Sequence, residues 1–416
     1  MINRFYPGSL KGRIRIPSSK SLTHRALIAA SLANGLTQIH HPLYCDDTMT
    51  TIACLQSLGI DIQTSQNDII LNSPGFYTIC GPLDVKESAT TFRLMVGAIS
   101  MFSQEFTIQA HPRLIERIRT NDLDDLDGLT FTFMTDAIHI VGTLNQKQYY
   151  PALNITTQWA SGLCMLLPFK FFRIHDHILT GDYVRLTVSM MKQFGIELIQ
   201  QDGWLTSKGQ YLPQKVTIES DYSSAAFFIG MAILNNHVRI EDLSRDSLQP
   251  DVRIISYFEQ MGAQFSITPQ YLKCTGVHFK DCTIDLTQNP DLAPILAAVA
   301  SVSSKHIVLT GLEKLEYKES NRLLAIRDSL NLLGANVIIH DMSLVIEGKR
   351  TLYGDATVEG YRDHRIIMSL VAINSRIVHP FEIIGCEYVN KSFPDFFNYF
   401  QRVGGIYESS VSTSNG

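Results

Sequence analysis

The chain runs to 416 residues, 45% of them apolar and 18% charged, with 35 basic against 40 acidic side chains and a formal charge of −5. Such a length suits two or three hydrophobic cores, and the composition is that of a globular protein, not a disordered one. The mild acidity gives no ground to expect a nucleic-acid or membrane partner, so any cluster of Lys and Arg has to be read as a local device.

The opening stretch, MINRFYPGSLKGRIRI, has no apolar run leading to a small-residue cleavage site, and no segment approaches the ~18 continuous apolar residues of a membrane span. A cytoplasmic protein is therefore expected. Cys45, Cys54, Cys80, Cys164, Cys274, Cys282 and Cys386 are scattered without CxxC spacing, which favours buried free thiols over a zinc site or disulfides.

In chain order, two kinds of helical segment alternate. The first kind opens on polar residues and continues apolar on nearly every face: SSKSLTHRALIAASLA, ESATTFRLMVGAIS, TTQWASGLCMLL, DYSSAAFFIGMAIL, NPDLAPILAAVA and DHRIIMSLVAIN. A helix apolar all round belongs in a core. The Ser, Thr and Asp at these starts are the residues that cap unpaired backbone N–H groups. If the helices run parallel and their starts converge, those N–H groups and macrodipoles make an anion-attracting centre; ordinary capping of core helices is the plainer alternative at each start.

The second kind ends in an apolar residue, a glycine and an alternating strand pattern: CLQSLGIDI, DDLDGLTFTF, MKQFGIELI, FEQMGAQFSI, LNLLGANVII and FQRVGGIY. The glycines are Gly59, Gly128, Gly195, Gly262, Gly334 and Gly404, spaced 69, 67, 67, 72 and 70 residues apart. A glycine past the last helical turn is the usual left-handed cap, and six at near-even spacing mark an internal repeat. Each repeat reads as strand, buried helix, strand, second helix and strands, giving six βαβαββ-like units. Three fall on each side of a boundary near residues 215–220, and the pattern leaves open how the first strand is shared. The tail after about Tyr407, ESSVSTSNG, is expected to fray.

IPSSKSLTHRAL (Ile16 to Leu27) puts a mobile cation, Lys20, a hydroxyl, Ser21, and a guanidinium fork, Arg25, at one helix start, a set suited to an anionic ligand. The segment resembles the opening signature of the enolpyruvyl transferases that act on shikimate 3-phosphate, and the likeness continues, motifs in order, to about Phe397. ESATTFRLM (Glu87 to Met95) resembles the next signature, with Ala89 at a usual glycine and Glu87 where some members have Asn. Close backbone approach to a phosphate favours Gly, so the Ala89 methyl would crowd a phosphoenolpyruvate pocket. Within the family such an alanine goes with insensitivity to glyphosate, an inhibitor that occupies that pocket. Arg117 in HPRLIERI matches a donor-phosphate arginine. Thr156, Thr157 and Gln158 match a Ser-Ser-Gln cluster that holds the shikimate phosphate, and Tyr183 in TGDY matches a substrate-contacting tyrosine.

In NPDLAP, Asp291 is on local grounds a plain N-cap, whereas the resemblance makes it the contact of the attacking hydroxyl and the proposed base. In YKESNR, Lys318, Glu319 and Arg322 would ordinarily form a solvated, salt-bridging face. The resemblance assigns Lys318 to the acceptor, Glu319 to proton transfer at the donor's methylene carbon, and Arg322 to the donor. RDHR supplies Arg365 and NKSFPDFF supplies Lys391, both matching donor-binding cations.

The fold this resemblance implies is two inside-out α/β domains of three repeats each, residues 19–218 in one and residues 1–18 with 219–416 in the other, with the substrates in a cleft between them. The implied reaction moves the enolpyruvyl group of phosphoenolpyruvate to the 5-hydroxyl of shikimate 3-phosphate by addition and elimination, a step of aromatic amino-acid biosynthesis. Lys20, Asp291 and Glu319 would be catalytic. The acceptor would lie on Lys20, Ser21, Arg25, Thr156, Thr157, Gln158, Tyr183, Asp291 and Lys318. The donor would lie on Lys20, Ala89, Arg117, Gln158, Arg322, Arg365 and Lys391. Substrates carrying four anionic groups need fixed cations around them, and two carboxylates with a lysine are a sensible proton inventory. Neither a metal nor an organic cofactor is required, the partners are the two small anions, and a monomer is expected.

A related branch acting on UDP-N-acetylglucosamine pairs its first lysine with asparagine and carries a cysteine on a glycine-rich loop, whereas HPRLIERI has none. An inactive anion-binding scaffold is the other alternative, and Ala89 and Glu87 are the departures that point to it. The pair His40-His41 and the run His175-Asp176-His177 lack a third metal ligand at suitable spacing. NDLDDLD (Asn121 to Asp127) lacks the glycine and closing glutamate of a calcium loop. Trp159 is assigned to packing beside the Thr-Thr-Gln cluster.

Overall fold

The computed structural model describes all residues except 120–122, 124–125, 154–155, 170–171, 245, 269 and 411–416. Among the described residues the strands form six four-stranded sheets, all paired alike: one outer strand runs parallel to its neighbour, and the other two pairings are antiparallel. The repeat marked by the six glycines is thus a repeat of whole sheets. All six adopt left-handed φ between 88° and 104°. At Gly262 a Cβ would lie 2.0 Å from the His278 carbonyl oxygen, and at Gly128 it would lie 2.2 Å from that of Thr143, so space as well as φ demands glycine there.

The chain divides into two compact units, Ser18–Glu219 and Met1–Pro17 with the chain from Ser220 onward. In the first, the helices Lys20–Leu32, Ala89–Ile99 and Gln158–Leu166 are buried along nearly their whole length. In the second, Tyr222–Asn235, Ala293–Ser301 and His364–Ala372 are buried in the same way. The sheets lie outside them and show the two-residue alternation of a half-covered strand; in Asp68–Pro74, Ile69 and Leu71 are buried while Ile70 is exposed. Each unit is therefore inside-out, with apolar helices at its centre, and each fully buried Leu, Ile or Phe contributes roughly 1.5–3 kcal/mol.

The strand sharing that the repeat pattern left open is now visible. Gly12–Arg15 leads into the helix Lys20–Leu32 yet pairs in parallel with Val238–Glu241, in the unit to which that helix does not belong. Reciprocally, Lys215–Thr217 leads into the helix Tyr222–Asn235 yet pairs with Asn34–His40. At the C-terminus the strand Ile406–Ser410 stays paired with Ile2–Tyr6 through Ser410, past the point where fraying was expected, and residues 411–416 lie outside the described residues.

No helix among the described residues is long and apolar enough to cross a membrane. All seven cysteines are free; five are buried, but Cys80 is exposed and Cys282 half-buried, contrary to the expectation that all would be buried.

Candidate active site

In the unit Ser18–Glu219 the polar helix starts are tied together by hydrogen bonds. Ser19 caps the Lys20 helix and Ser88 caps the Ala89 helix, accepting from the N–H groups of Leu22 and Thr91. Thr91 shares a hydroxyl contact of 2.7 Å with Thr51, which stands 2.8 Å from His24. Lys20, expected as a mobile cation, donates to Asp47 at 2.9 Å, and Asp47 sits in the first turn of the helix Asp46–Ser57. Asp47 and this tie went unnoticed in the sequence because 27 residues separate the partners.

Arg25 is buried, and its partners are uncharged oxygens: Thr187 Oγ1 at 2.7 Å, the Ser21 carbonyl at 2.9 Å and the Tyr183 carbonyl at 3.2 Å. Burial lowers the pKa of its guanidinium to about 10, so it keeps its charge at neutral pH, with no carboxylate against it among the described residues. The same Tyr183 carbonyl accepts from Thr187 and from Ser161 on the Gln158 helix. Gln158 accepts from Arg93 at 3.0 Å and donates to Thr90 Oγ1 at 3.0 Å, while Thr156 Oγ1 accepts from the Gln158 N–H. Thr157 stands at the N-cap without a side-chain cap bond. The two helices approach closely enough for this because of Gly162, where a Cβ would come 2.9 Å from the Arg93 carbonyl. Arg93 was not among the residues singled out from the sequence, although it closes the ESATTFR motif.

Ala89 is the first residue of its helix and is half-buried, with no left-handed φ to favour glycine. Its methyl therefore bears on what approaches the helix start and leaves the backbone undisturbed. Arg117 lies on the helix Pro112–Arg119, whose start is joined to the Ala89 turn by the bond from the His111 N–H to the Lys86 carbonyl and by a His111–Glu87 contact of 3.3 Å.

The other unit gathers a denser charge cluster. Arg322, 1% exposed, donates to Asp363 through Nε at 2.7 Å, to Asp291 through Nη1 at 2.7 Å and to Glu319 through Nη2 at 2.7 Å. Lys318 meets the same Asp291 oxygen at 3.0 Å, and Arg365 reaches the other at 3.7 Å and the Asp291 carbonyl at 3.2 Å. Asp291 lies in the turn Pro290–Leu292 ahead of the Ala293 helix and makes no cap bond, so the plain N-cap alternative is set aside. Asp363 does cap, accepting from the Arg365 N–H at 2.9 Å. Lys391 is buried at the end of the turn Cys386–Lys391, which packs on the His364 helix.

Burial pushes the Asp291 carboxyl up, but Lys318, Arg365 and Arg322 outweigh it and hold the group well below the usual carboxylate range. Asp363 is lowered in the same way, burial opposing and Arg322 prevailing. Burial works against charge on Arg322, yet Asp363, Glu319 and Asp291 hold it above its ordinary value. YKESNR is thus not a solvated face; its cations converge on Asp291, a contact spanning 31 residues in the case of Arg322.

The features set aside also found places. His40 pairs with Asp68 at 2.7 Å. His175 and His177 turn Nδ1 atoms toward each other at 2.9 Å, and His177 Nε2 meets the Pro151 carbonyl. Trp159 packs edge-on against Phe92, and Trp204 carries Arg173 at 4.4 Å over its ring. Of NDLDDLD, residues 121–122 and 124–125 lie outside the described residues.

Six matched sheets around apolar helices, with hydroxyls and cations near the helix starts of one unit and an Asp–Lys–Arg–Glu cluster in the other, define a two-unit α/β protein of the enolpyruvyl-transferase class. The profile of the EPSP synthase family, described as 3-phosphoshikimate 1-carboxyvinyltransferase, matches residues 6–400. The chain belongs to that family. A 3-phosphoshikimate 1-carboxyvinyltransferase of Clostridium kluyveri is 32% identical over 97% of this chain and 98% of its own length, and one of Dehalococcoides mccartyi is 31% identical over 99% of each. An EPSP synthase structure from Acinetobacter baumannii covers 99% of this chain and 100% of its own with a TM-score of 0.79 at 22% identity, a likeness of fold.

Proposed function

We propose that the protein transfers the enolpyruvyl group of phosphoenolpyruvate to the 5-hydroxyl of shikimate 3-phosphate, releasing phosphate. The observation that carries the residue roles is a single oxygen, Asp291 Oδ1, held by Lys318 at 3.0 Å and Arg322 at 2.7 Å, with Glu319 on the same guanidinium. Asp291 takes the proton of the attacking hydroxyl and Glu319 serves the methylene carbon of the donor, with Lys20 as the third proton carrier. With three cations on it, Asp291 is a poor base. Substrate anions that draw Lys318 and Arg365 off raise its basicity, so proton abstraction waits for binding.

Arg25, Ser21, Thr156, Thr157, Gln158 and Tyr183 hold the acceptor, Arg25 resting on uncharged oxygens of Thr187, Ser21 and Tyr183. Arg117, Arg365, Lys391 and Arg322 neutralise the donor, and the methyl of Ala89 narrows its pocket enough to disfavour glyphosate. The proton carriers and the neutralising charges are all side chains, so the reaction needs neither metal nor organic cofactor. We take the enzyme to be cytoplasmic and monomeric. Phosphate release measured with both substrates, with each omitted and with Lys20→Met tests the reading. Release that needs both substrates and falls at least a hundredfold in the variant is expected; release without shikimate 3-phosphate, or none at all, overturns it.

A further inference from the structure

The turn that carries Asp291 is held by a buried polar clamp to which the sequence assigned nothing. Asn289, 2% exposed, stands two residues before Asp291 and is followed by Pro290. Its main chain is tied on both sides, the N–H donating to Leu286 at 2.9 Å and the carbonyl accepting from Leu292 at 3.0 Å. Its side-chain oxygen accepts from Arg253 Nη1 and from the Tyr257 hydroxyl, each at 3.1 Å, and its Nδ2 donates to Asp251 at 3.3 Å. Asp251, also 2% exposed, takes the Ser223 hydroxyl on its other oxygen.

Arg253 can only donate, so the oxygen of the Asn289 amide must face it and the nitrogen must face Asp251. Neither Asp nor Leu could satisfy both sides. Pro290 fixes its own φ and keeps Asn289 out of the helical region, with Asn289 at φ −134° and ψ 50°, so a shift of Asn289 passes to Asp291 with little slack. The Asp291 carboxylate must meet Lys318, Arg322 and Arg365 together, and two of those contacts are within hydrogen-bond distance. A carboxylate that works in that geometry tolerates little displacement.

We propose that Asn289 is the positioning residue of the Asp291 carboxylate, clamped by Asp251, Arg253 and Tyr257. The inference rests on the reading of Asp291 as the proton-accepting group. Asn289 itself touches no substrate; it acts through the turn.

The test compares Asn289→Ala, Tyr257→Phe, the double variant and Asp291→Asn with the wild type, by steady-state kinetics across pH and by thermal melting. Asn289→Ala is expected to lower kcat on the order of tenfold to a hundredfold with KM for both substrates changed less than about threefold. Its loosened carboxylate, less firmly held by Lys318 and Arg322, regains part of its ordinary pKa, so the acid limb of the kcat profile moves to higher pH. Tyr257→Phe removes one hydroxyl and shows the same signature at roughly a threefold loss, and the double variant is no worse than Asn289→Ala because both act on one oxygen. A role confined to stability would lower the melting temperature and leave kcat and the acid limb where they were, and that result overturns the proposal. Should Asn289→Ala fail to fold, Tyr257→Phe decides alone by the same criteria. A wild type that turns over, an inactive Asp291→Asn and unaltered clamp variants sink this inference only. A wild type that releases no phosphate sinks the proposed function and the positioning role with it.

Discussion

Two buried arginines, Arg25 and Arg322, show how differently the two units use a cation. Arg25 is surrounded by neutral oxygens from Ser21, Tyr183 and Thr187, and among the described residues its charge meets no carboxylate. Arg322 is surrounded by three carboxylates, those of Asp291, Glu319 and Asp363. A buried charge without a counter-ion is costly to keep and leaves its field available to an anion that arrives. A guanidinium shared among three carboxylates keeps only part of its field for a ligand, and it holds those carboxylates ionised and aimed. On the proposed roles, Arg25 serves the phosphate of the acceptor, while the cluster around Arg322 serves both the neutralisation of the donor and proton transfer.

Removing each cation should therefore break each unit in its own way. Arg322→Met leaves the buried Asp363 and the half-buried Asp291 and Glu319 facing one another without their shared cation, a loss of about 3–5 kcal/mol in unfolding free energy. Arg25→Met leaves only neutral oxygens without a donor, about 1–3 kcal/mol. In binding, the order should reverse: calorimetry on Arg25→Met should show shikimate 3-phosphate affinity down at least tenfold, a larger loss than Arg322→Met causes. Equal destabilisation by the two substitutions in urea titrations would erase the distinction between the units.

That distinction was only partly legible in the sequence. Helix starts, capping glycines and the sixfold period could be read because each is written within a dozen contiguous residues and repeated. Lys20, Asp291, Lys318, Glu319 and Arg322 could be named because they sit in compact motifs. Their pairing could not. Asp47 lies 27 residues from Lys20 and Asp363 lies 41 from Arg322, and a lone carboxylate carries no mark of the cation it will face. Asp291 looked like a helix cap since Asp before an apolar run usually is one, and only the turn Pro290–Leu292 shows its side chain turned to the cations instead. The repeat pattern by itself left the exchange of Gly12–Arg15 and Lys215–Thr217 open for a related reason, since strand alternation tells which face is buried, never which strand is the neighbour; the division into residues 1–18 with 219–416 and residues 19–218 came from the family resemblance.

A gentler probe of the carboxylate-rich unit is Asp363→Asn, followed as a function of pH. Asp363 is titrated low in the folded protein, so the stability it contributes is present above the unfolded carboxyl value, about 3.9, and is lost as pH falls through the lower folded value. The variant should be less stable than wild type by about 2 kcal/mol at pH 7, and the gap should close as pH falls through the lowered folded value. Asp251 has the opposite sign. Burial raises its carboxyl, partly offset by Arg365 and the Ser223 hydroxyl, so its contribution is greatest at low pH and declines as pH rises through the folded value. Urea midpoints of Asp363→Asn and Asp251→Asn should therefore diverge from wild type in opposite directions as pH rises from 3 to 7. A parallel drift would mean that charge does not organise this unit as its contacts imply.

The smallest effect on the fold, and the sharpest on the other unit, should come from Ala89→Gly. Ala89 opens its helix with no left-handed φ, so glycine relieves no backbone strain and weakens the helix by at most about 1 kcal/mol. What the substitution removes is a methyl at a helix start, where backbone N–H groups attract an anion. If that methyl narrows the donor pocket, the variant should show a several-fold lower KM for phosphoenolpyruvate and a larger fall in the inhibition constant of glyphosate, while binding of shikimate 3-phosphate and the melting temperature barely move. The decisive quantity is the ratio of glyphosate inhibition constant to phosphoenolpyruvate KM, well above one in the wild type and lower in the variant. A wild-type ratio near one or below removes the pocket-narrowing role from Ala89, and the methyl is then no more than a good helix former placed in the first turn.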